Sequence, residues 1–511
     1  MKVFDDFNDL FVLDLANNHQ GDVEHGLNVI RGVAEVVRRH GVKAALKFQY
    51  RQLDSFIHRH HQDSSDNKHI GRFLSTALSR PQFQTLLDEV RKQGLIPMCT
   101  PFDEESVKII AEEGFKILKV ASCSSKDFPL LEEVAATGLP VVWSTGGLEL
   151  RNIDDLASFF DHRGTDYAIM HCVSIYPTPD ESCQLNQIAA LRERYPGKVI
   201  GWSTHENPDD TVPVTVAVAK GAQMFERHVG VETGEIKLNA YSSTPAQLDH
   251  WFQAHEKARI LCGDEVRPGV PDVERNAIDS LRRGVFAKRP VKEGSKIGRD
   301  QVYFAMPYVE GQLESGKWND DITASANIDA DAAILMDEVV MPKSADVHGI
   351  KAAIHEVKAL LSQARIPLNN EFKVEYSHHY GIPRFREVGA VIIECVNREY
   401  CKKLIIQLPG QQHPSHYHAL KEETFQILYG TLNAVVEDRE HTLRPGDTIL
   451  VMPGVWHGFG TETGVVFEEV STTHHDGDSY YKDQVINRMK RSERKTVVDH
   501  WGRFQLTPVS R

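Results

Sequence analysis

Two histidines close neighbouring apolar runs. Val199–Trp202 leads into Ser203 and His205, and Met224–Phe225 leads into Glu226, Arg227 and His228. Between them lies a stretch with Val212, Val214, Val216 and Val218 that stops at Gly221, which predicts a helix. A strand–helix–strand unit of this length makes a parallel crossover, with strands about 4.8 Å apart. His205 and His228 then emerge side by side at the carboxyl ends of two strands, where open ligand sites form. Two imidazoles that close can share a divalent metal. The alternative is two separate polar caps, one of them paired with Glu226.

Two lysines pose a second question of chemistry. Lys47 and Lys119 sit inside apolar strands, AALKFQ and FKILKVAS. A buried ammonium is costly without an anion, so each needs a partner. A structural carboxylate would serve, and a Schiff-base lysine is another use. With Thr100, Ser122, Ser144 and Ser203 also at strand ends, a cradle for a phosphate and a carboxylate is favoured. A third constellation lies far downstream, in GQQHPSHYHALKEETFQILYG and GDTILVMPGVWH. His416 and His418, two apart on a strand, face the same side. Glu423 comes round on the next strand and His457 arrives from a second hairpin. Three histidines and a carboxylate suit Mn, Fe, Zn or Ni. Lys421, Glu422 and Glu468 are further charged candidates beside them.

The elements that must position these groups show in the pattern. From residue 11 to about 255, eight strand-like runs alternate with helical stretches. They are Phe11–Leu15, Ala44–Phe48, Leu95–Cys99, Ile117–Val120, Val141–Trp143, Ala168–Met170, Val199–Trp202 and Met224–Glu226. That suits a (β/α)8 barrel. A doubly wound sheet would want a glycine-rich phosphate turn after its first strand, where this chain has ANNHQGD. Residues 256–281 then read as a linker, and 282–345 as a small unit with an internal echo: VFAKRPVKEGSKIGRDQVYF parallels ITASANIDADAAILMDEVVM. Residues 346–370 form an amphipathic helical bridge. From 371 to 485 short alternating runs separated by Gly, Pro and Asp predict an antiparallel β barrel or sandwich. The tail, 486–511, reads as a basic amphipathic helix.

The chain has 511 residues, enough for several domains, with 41% hydrophobic and 25% charged residues. Its net charge of −14 argues against nucleic acid and anionic membrane. A phosphate-bearing substrate therefore needs a local basic pocket. The seven cysteines form no CxxC pair and read as reduced thiols. There is no signal-peptide pattern and no apolar run of the roughly 18 residues a membrane helix needs. The expected setting is the cytoplasm.

The motifs LDLANNHQGD, LKFQ, MCTPF, LKVAS, WSTGG, MHCVSIYPTP, GWSTH and FERHV resemble, in order, those of the sialic acid synthase family. The resemblance covers roughly residues 10–345. It implies a (β/α)8 barrel that condenses phosphoenolpyruvate with a sugar aldehyde. It implies that Lys47, Thr100, Lys119, Ser122, Ser144 and Ser203 bind phosphoenolpyruvate. It makes His205 and His228 ligands of Mn or Mg, and Asp14 a catalytic carboxylate where the family usually has glutamate. Asn18, Gln49, Ser124, Ser174 and Tyr176 fall on the sugar side. The small unit resembles the antifreeze-like (SAF) domain, through which family members commonly form homodimers. Several positions depart from the family. Ser124 replaces a glutamate, Thr204 an aspartate, GEIKLNAYSS an RPGPD-like segment, and Met306 an arginine that meets an acyl group. These departures point to an acceptor other than N-acetylmannosamine. The histidine-rich C-terminal region resembles the cupins, with Thr461 in place of a terminal asparagine, and among them sugar isomerases of the lyxose isomerase type. The expected function is a 3-deoxy-2-keto sugar acid synthase fused to a metal-binding cupin that acts as an aldose isomerase or epimerase. The alternatives are a Schiff-base aldolase and a non-catalytic sugar-binding protein.

Overall fold

A computed structural model describes residues 7–62, 67–265, 267–342, 345–369, 371–499 and 501. The chain divides into two compact units, Met1–Pro268 and Gly269–Arg511.

The first unit is a closed barrel of eight parallel strands in sequential order. The strands are β1 (Leu10–Asp14), β2 (Lys43–Tyr50), β3 (Ile96–Pro101), β4 (Ile117–Val120), β5 (Val141–Ser144), β6 (Tyr167–Cys172), β7 (Ile200–Thr204) and β8 (Met224–His228). β1 pairs with both β2 and β8, which closes the ring. The period of two along each strand sorts the side chains. Phe11, Leu13, Leu46, Phe48, Leu118 and Phe225 face outward into the core beneath the helices. Val12, Ala45, Met98, Ile117, Val142, Met170 and Met224 fill the barrel interior. Gly201 belongs to that interior, because a Cβ there would lie 2.6 Å from the Met224 carbonyl oxygen and 2.4 Å from the Met170 sulfur. Two residues further along each strand the inward positions turn polar. They are Asp14, Lys47, Thr100, Lys119, Ser144, Cys172, Ser203 and Glu226, each of them buried and one from each strand. The barrel therefore has an apolar plug with a polar layer on top of it.

Residues 256–281, which read as a linker, are largely helical. The barrel helix Pro245–Cys262 runs into them, and a second helix covers Asp272–Asp279. A capping box at Thr244, followed by Pro245, starts the long helix.

After the helix Asp272–Asp279 the second unit continues with four short strands: β9 (Gly284–Ala287), β10 (Val302–Ala305), β11 (Thr323–Ala324) and β12 (Val339–Val340). β9 pairs with β10 and β11 with β12, both antiparallel. The sequence echo is structural. Val285 and Ile322, Val291 and Ile328, Ile297 and Ile334, and Val302 and Val339 are equivalent positions that share one core.

The rest is a two-sheet antiparallel sandwich. Its strands are β13 (Val374–Ser377), β14 (Ala390–Asn397), β15 (Tyr400–Gln407), β16 (Gln412–Tyr417), β17 (Glu423–Gly430), β18 (Leu432–Val436), β19 (Arg439–Leu443), β20 (Thr448–Val451), β21 (His457–Gly460), β22 (Val465–Thr472), β23 (Tyr480–Tyr481) and β24 (Lys495–Val498). The larger sheet runs β20-β17-β22-β15-β14-β13-β24 and the smaller β19-β18-β21-β16-β23. The inner faces supply Ile405, Phe425, Ile427, Val451, Phe459 and Phe467. The helix Ala345–Gln363 lays Ile350, Ile354, Val357 and Leu361 with Val391, Ile393, Leu404 and Ile406 of the larger sheet. The tail corrects the sequence reading. It is two short helices, Gln484–Arg488 and Arg491–Arg494, followed by β24, which pairs antiparallel with β13. The β-branched residues Thr496, Val497 and Val498 favour that strand over a continued helix. Residues 502–511 of the expected tail helix lie outside the described residues.

Candidate functional site

The polar layer of the barrel is built on ion pairs. Lys47 Nζ lies 2.8 Å from Asp14 Oδ2 and 2.6 Å from Glu226 Oε1. Lys119 Nζ donates to Glu226 Oε2. Two lysines therefore face two carboxylates, with Glu226 bridging both ammonium groups. Burial alone would raise the Glu226 carboxyl, but Lys119 and Lys47 hold it well below the usual carboxylate range. Burial likewise opposes ionisation of Lys47, and the Asp14 and Glu226 carboxylates overcome it and raise its pKa. For Lys119, burial wins, with Lys47 repelling it as well, and its pKa is lowered despite Glu226. Each lysine thus has the anionic partner that its burial requires, and the carboxylate that sequence reasoning did not pair with them is Glu226.

A cavity of about 1110 Å³ opens above this layer. Asp14, Lys47, Gln49, Lys119, Ser122, Ser144, Ser174, Tyr176, Ser203, Glu226, His205 and His228 all line it. Thr100 lies in the same inward layer, and its hydroxyl is buried without a hydrogen-bond partner. Gly146 of WSTGG lets two hydroxyls converge. A Cβ there would stand 2.3 Å from Ser174 Oγ and 2.6 Å from Ser122 Oγ. Two expected sugar-side residues are not on the cavity wall. Asn18 is buried behind it and donates to the Val229 carbonyl at 2.8 Å and to Ser242 Oγ at 2.9 Å, so it ties the ends of β1 and β8 together. Ser124 is turned inward in the short helix Ser122–Ser124. Sequence reasoning passed over Arg51 and Tyr241, which also line the cavity.

His205 and His228 stand where the crossover argument puts them, with ring centroids 5.4 Å apart. His205 Nδ1 donates to the Val173 carbonyl at 3.0 Å, which leaves Nε2 as its free lone pair. His228 Nδ1 is 3.6 Å from Asp14 Oδ2. Burial pushes His205 down to about 3 and lowers His228, so both rings are neutral at physiological pH. Two neutral imidazoles beside Asp14 fit a divalent cation and leave open positions for substrate.

The sandwich holds the denser cluster. His416, His418, Glu423 and His457 are all buried, and their donor atoms lie within 4.8 Å of one another. Each histidine is oriented the same way. His416 Nδ1 donates to the Pro414 carbonyl at 3.0 Å, His457 Nδ1 to Val455 at 3.1 Å, and His418 Nδ1 to Asp478. The Nε2 atoms are left to face the cluster, because a carbonyl that accepts from Nδ1–H fixes the tautomer and the ring orientation a metal ligand needs. His457 Nε2 sits 2.8 Å from Glu423 Oε1. Yet neither that nitrogen nor Glu423 Oε1 has a partner at hydrogen-bond angles, while Glu423 Oε2 pairs with Lys421. Orphaned donors converging on one point fit a transition-metal ion. Asp478, missed in the sequence, organises the turn before β17. Its carboxylate accepts the backbone N–H groups of Ala419, Leu420 and Lys421 at 2.8, 3.1 and 3.2 Å.

A cavity of about 590 Å³ adjoins this cluster. Lys421 lines it, bonded to Glu423 and 2.8 Å from Glu469 Oε1. The two other acids singled out beside it point elsewhere. Glu422 is exposed, and Glu468 pairs with Lys402 at 2.8 Å on the opposite face of β22. The inward position is Glu469, one residue on, because β22 alternates.

Residues 35–267 match the NeuB family and residues 404–472 the cupin domain. A crystal structure described as spore coat polysaccharide biosynthesis protein E from Chromobacterium violaceum is 44% identical. It covers 65% of this chain and 99% of its own, with a TM-score of 0.62. An uncharacterized protein from Methanocaldococcus jannaschii is 30% identical over 57% of this chain and 82% of its own length. The N-acetylneuraminate-9-phosphate synthase of Drosophila melanogaster is 29% identical over 56% of this chain and 83% of its own. With the barrel and its polar layer in place, the chain belongs to the NeuB family, the sialic acid synthases, and carries a cupin domain at its C-terminal end.

Proposed function

We propose that the barrel condenses phosphoenolpyruvate with the aldehyde of a sugar, giving a 3-deoxy-2-keto sugar acid and phosphate. The observation that carries this reading is the inward layer, in which Lys47 and Lys119 share Glu226 among Thr100, Ser122, Ser144 and Ser203. Fixed ammonium and hydroxyl groups there would hold the phosphate and carboxylate of phosphoenolpyruvate without reorganising during the reaction. A divalent metal such as Mn or Mg on His205 and His228 would supply a Lewis acid for the acceptor carbonyl. The enol carbon attacks the aldehyde, and positive charge develops at the enol-ether carbon, where Asp14 and Glu226 lie on the cavity wall to balance it. Water adds at that carbon, Asp14 takes one of its protons and passes it to the sugar alkoxide, and the other goes with the phosphate that leaves by C–O cleavage as the 2-keto group forms. Gln49, Ser174 and Tyr176 face the sugar.

The acceptor is an aldose other than N-acetylmannosamine. The segment GEIKLNAYSS, which departs from the family pattern, puts Asn239 and Tyr241 on the cavity wall, so a sugar meets different partners there, and each polar group it leaves unpaired costs about 1–3 kcal/mol. The Gly284–Val340 unit acts as the SAF-like dimerisation domain. The cupin, with Mn, Zn, Fe or Ni on His416, His418, Glu423 and His457, isomerises or epimerises a commoner sugar into that aldose. No helix among the described residues is long and apolar enough to cross a membrane.

Phosphoenolpyruvate consumption across pentoses, hexoses and N-acetylmannosamine tests this. Some aldose should be condensed, and N-acetylmannosamine should trail it by several orders of magnitude in kcat/KM. N-acetylmannosamine as the best substrate would overturn the acceptor assignment. The lowered pKa of Lys119 favours one competitor, a Schiff-base aldolase. Borohydride with pyruvate would trap a covalent adduct in that case and none in a synthase.

A further inference from the structure

We propose that the buried ion pair between Glu206 and Arg227 positions His205 and His228 for their metal, so that two residues outside the cavity set the barrel's metal affinity. The proposal rests on the barrel metal of the condensation reading and concerns what stands behind it. Strand alternation places the pair. Met224, Glu226 and His228 face into the barrel, so Arg227 between them faces outward with Phe225. On β7, Gly201 and Ser203 face in, and Trp202 and Thr204 face out. Ser203, His205, Glu226 and His228 line the cavity, whereas Thr204, Glu206 and Arg227 do not.

The pair sits in apolar surroundings. Arg227 Nη1 lies 3.0 Å from Glu206 Oε1, and both side chains are 1% exposed. Arg227 Nη2 and Glu206 Oε2 are buried without partners, and the guanidinium carbon is 5.5 Å from the Trp251 ring centroid. Apolar residues of similar volume would serve stability as well or better there, so stability does not account for the pair. What it adds is direction, because a charge-assisted bond fixes the spacing of the two points it joins. Those points adjoin the histidines: Glu206 follows His205, and Arg227 precedes His228.

The strands alone do not fix His205. The β7–β8 ladder ends at the pair Thr204–Arg227, one residue short of it. The bond from Glu206 to Arg227 carries the connection past that end. Arg227 Nε in turn donates to Ser243 Oγ, and the Ser243 N–H donates to the His228 carbonyl at 2.9 Å. A metal bonded at roughly 2 Å to each imidazole nitrogen tolerates little change in their spacing. The sequence departure at Thr204 also has its place here. Thr204 stands where the family pattern has aspartate, and its hydroxyl is buried with no partner. Glu206 supplies a carboxylate two positions further along the chain.

Mn2+ titration followed by electron paramagnetic resonance tests this in the full chain carrying His416→Ala and His418→Ala, which removes the cupin site. Glu206→Gln and Arg227→Met should each weaken Mn2+ binding about tenfold or more, and Arg227→Lys should recover part of the loss. Either single change strands a buried charge and can unfold the chain. The double variant Glu206→Met/Arg227→Met strands none. It should melt as cooperatively as its parent and bind phosphoenolpyruvate with unchanged affinity in calorimetry, yet hold Mn2+ at least tenfold more weakly. Unchanged Mn2+ affinity in the double variant overturns the proposal. So does a double variant that no longer melts cooperatively, which makes the pair a requirement of folding. If the parent itself binds no Mn2+, the barrel metal fails, and a crystal structure of the double variant decides the positioning. Ring centroids of His205 and His228 that stay 5.4 Å apart overturn it, and a changed separation supports it.

Discussion

Glu226 shows how much one side chain decides in the barrel. It stands between two lysines that would otherwise repel each other in a buried layer, and it holds both at a set distance from the cavity. Substrate anions then meet ammonium groups whose positions are already fixed. Lys47→Ala and Lys119→Ala should each weaken phosphoenolpyruvate binding by roughly ten- to hundredfold, the loss of a charge-assisted contact worth ~1.5–3 kcal/mol. Calorimetry measures this, and a cooperative melt checks that the variants remain folded. Unchanged affinity would remove both lysines from the site. Both lysines were legible because a charged residue inside an apolar strand is anomalous. Glu226 was read only as a partner for one of the histidines, although it is two residues after the inward Met224 and so faces the lysines.

At the scale of elements, the helix Pro245–Cys262 brings His255 against the barrel wall. Its ring meets Phe11 and Phe225 edge-on, with centroids 4.8 Å from each. Burial there pushes His255 down to about 4, and burial also takes His19 to about 4. In the unfolded chain a histidine titrates near 6.5. Between the two values the unfolded state binds the proton and the folded state does not, so stability is full above about 6.5 and falls as pH drops toward 4. Each group contributes up to roughly 3 kcal/mol over that window. Urea unfolding at pH 7 and pH 5 should show the loss, and His255→Leu should make it smaller; an unchanged slope would mean His255 does not drive it. A second element-level expectation concerns the turn before β17. Asp478→Ala frees three backbone N–H groups and loosens the loop whose carbonyl at 478 orients His418. It should lower cupin metal affinity by about tenfold or more, read by competition with a chelating dye.

Across the whole molecule, two metal sites of different character should coexist in one chain. The barrel pair offers two imidazoles and open positions, while the cupin quartet offers four inward donors. His205→Ala with His228→Ala should abolish condensation and leave the cupin metal in place. His416→Ala with His418→Ala should do the reverse. Metal analysis giving one atom per wild-type chain, lost only with the cupin pair, would contradict the barrel site. Fusion of the two domains would let an isomerase or epimerase supply the aldehyde that the barrel consumes.

Local pattern alone determined the architecture of this protein. Eight apolar runs at barrel spacing, a strand-rich C-terminal half and an internal echo are short-range signals of burial and turn chemistry, and each became the element it predicted. Histidines at strand ends, or two apart on one strand, were legible for the same reason, since strand period and parallel pairing fix their directions. Where the pattern is weak the reading failed. The tail's charges read as a helix, yet β24 forms because β13 offers it an edge to pair with. Only the tertiary structure decided which groups meet across the chain. Glu226 joins Lys47 and Lys119, Asp478 orients His418, Glu469 rather than Glu468 reaches Lys421, and Phe73 and Phe102 clasp Arg51. Those contacts join residues from separate strands and loops, and no periodicity along the chain encodes the partner across the cavity. Burial then selects the pairing, because a charge taken from water is tolerated only where the fold brings it an opposite one.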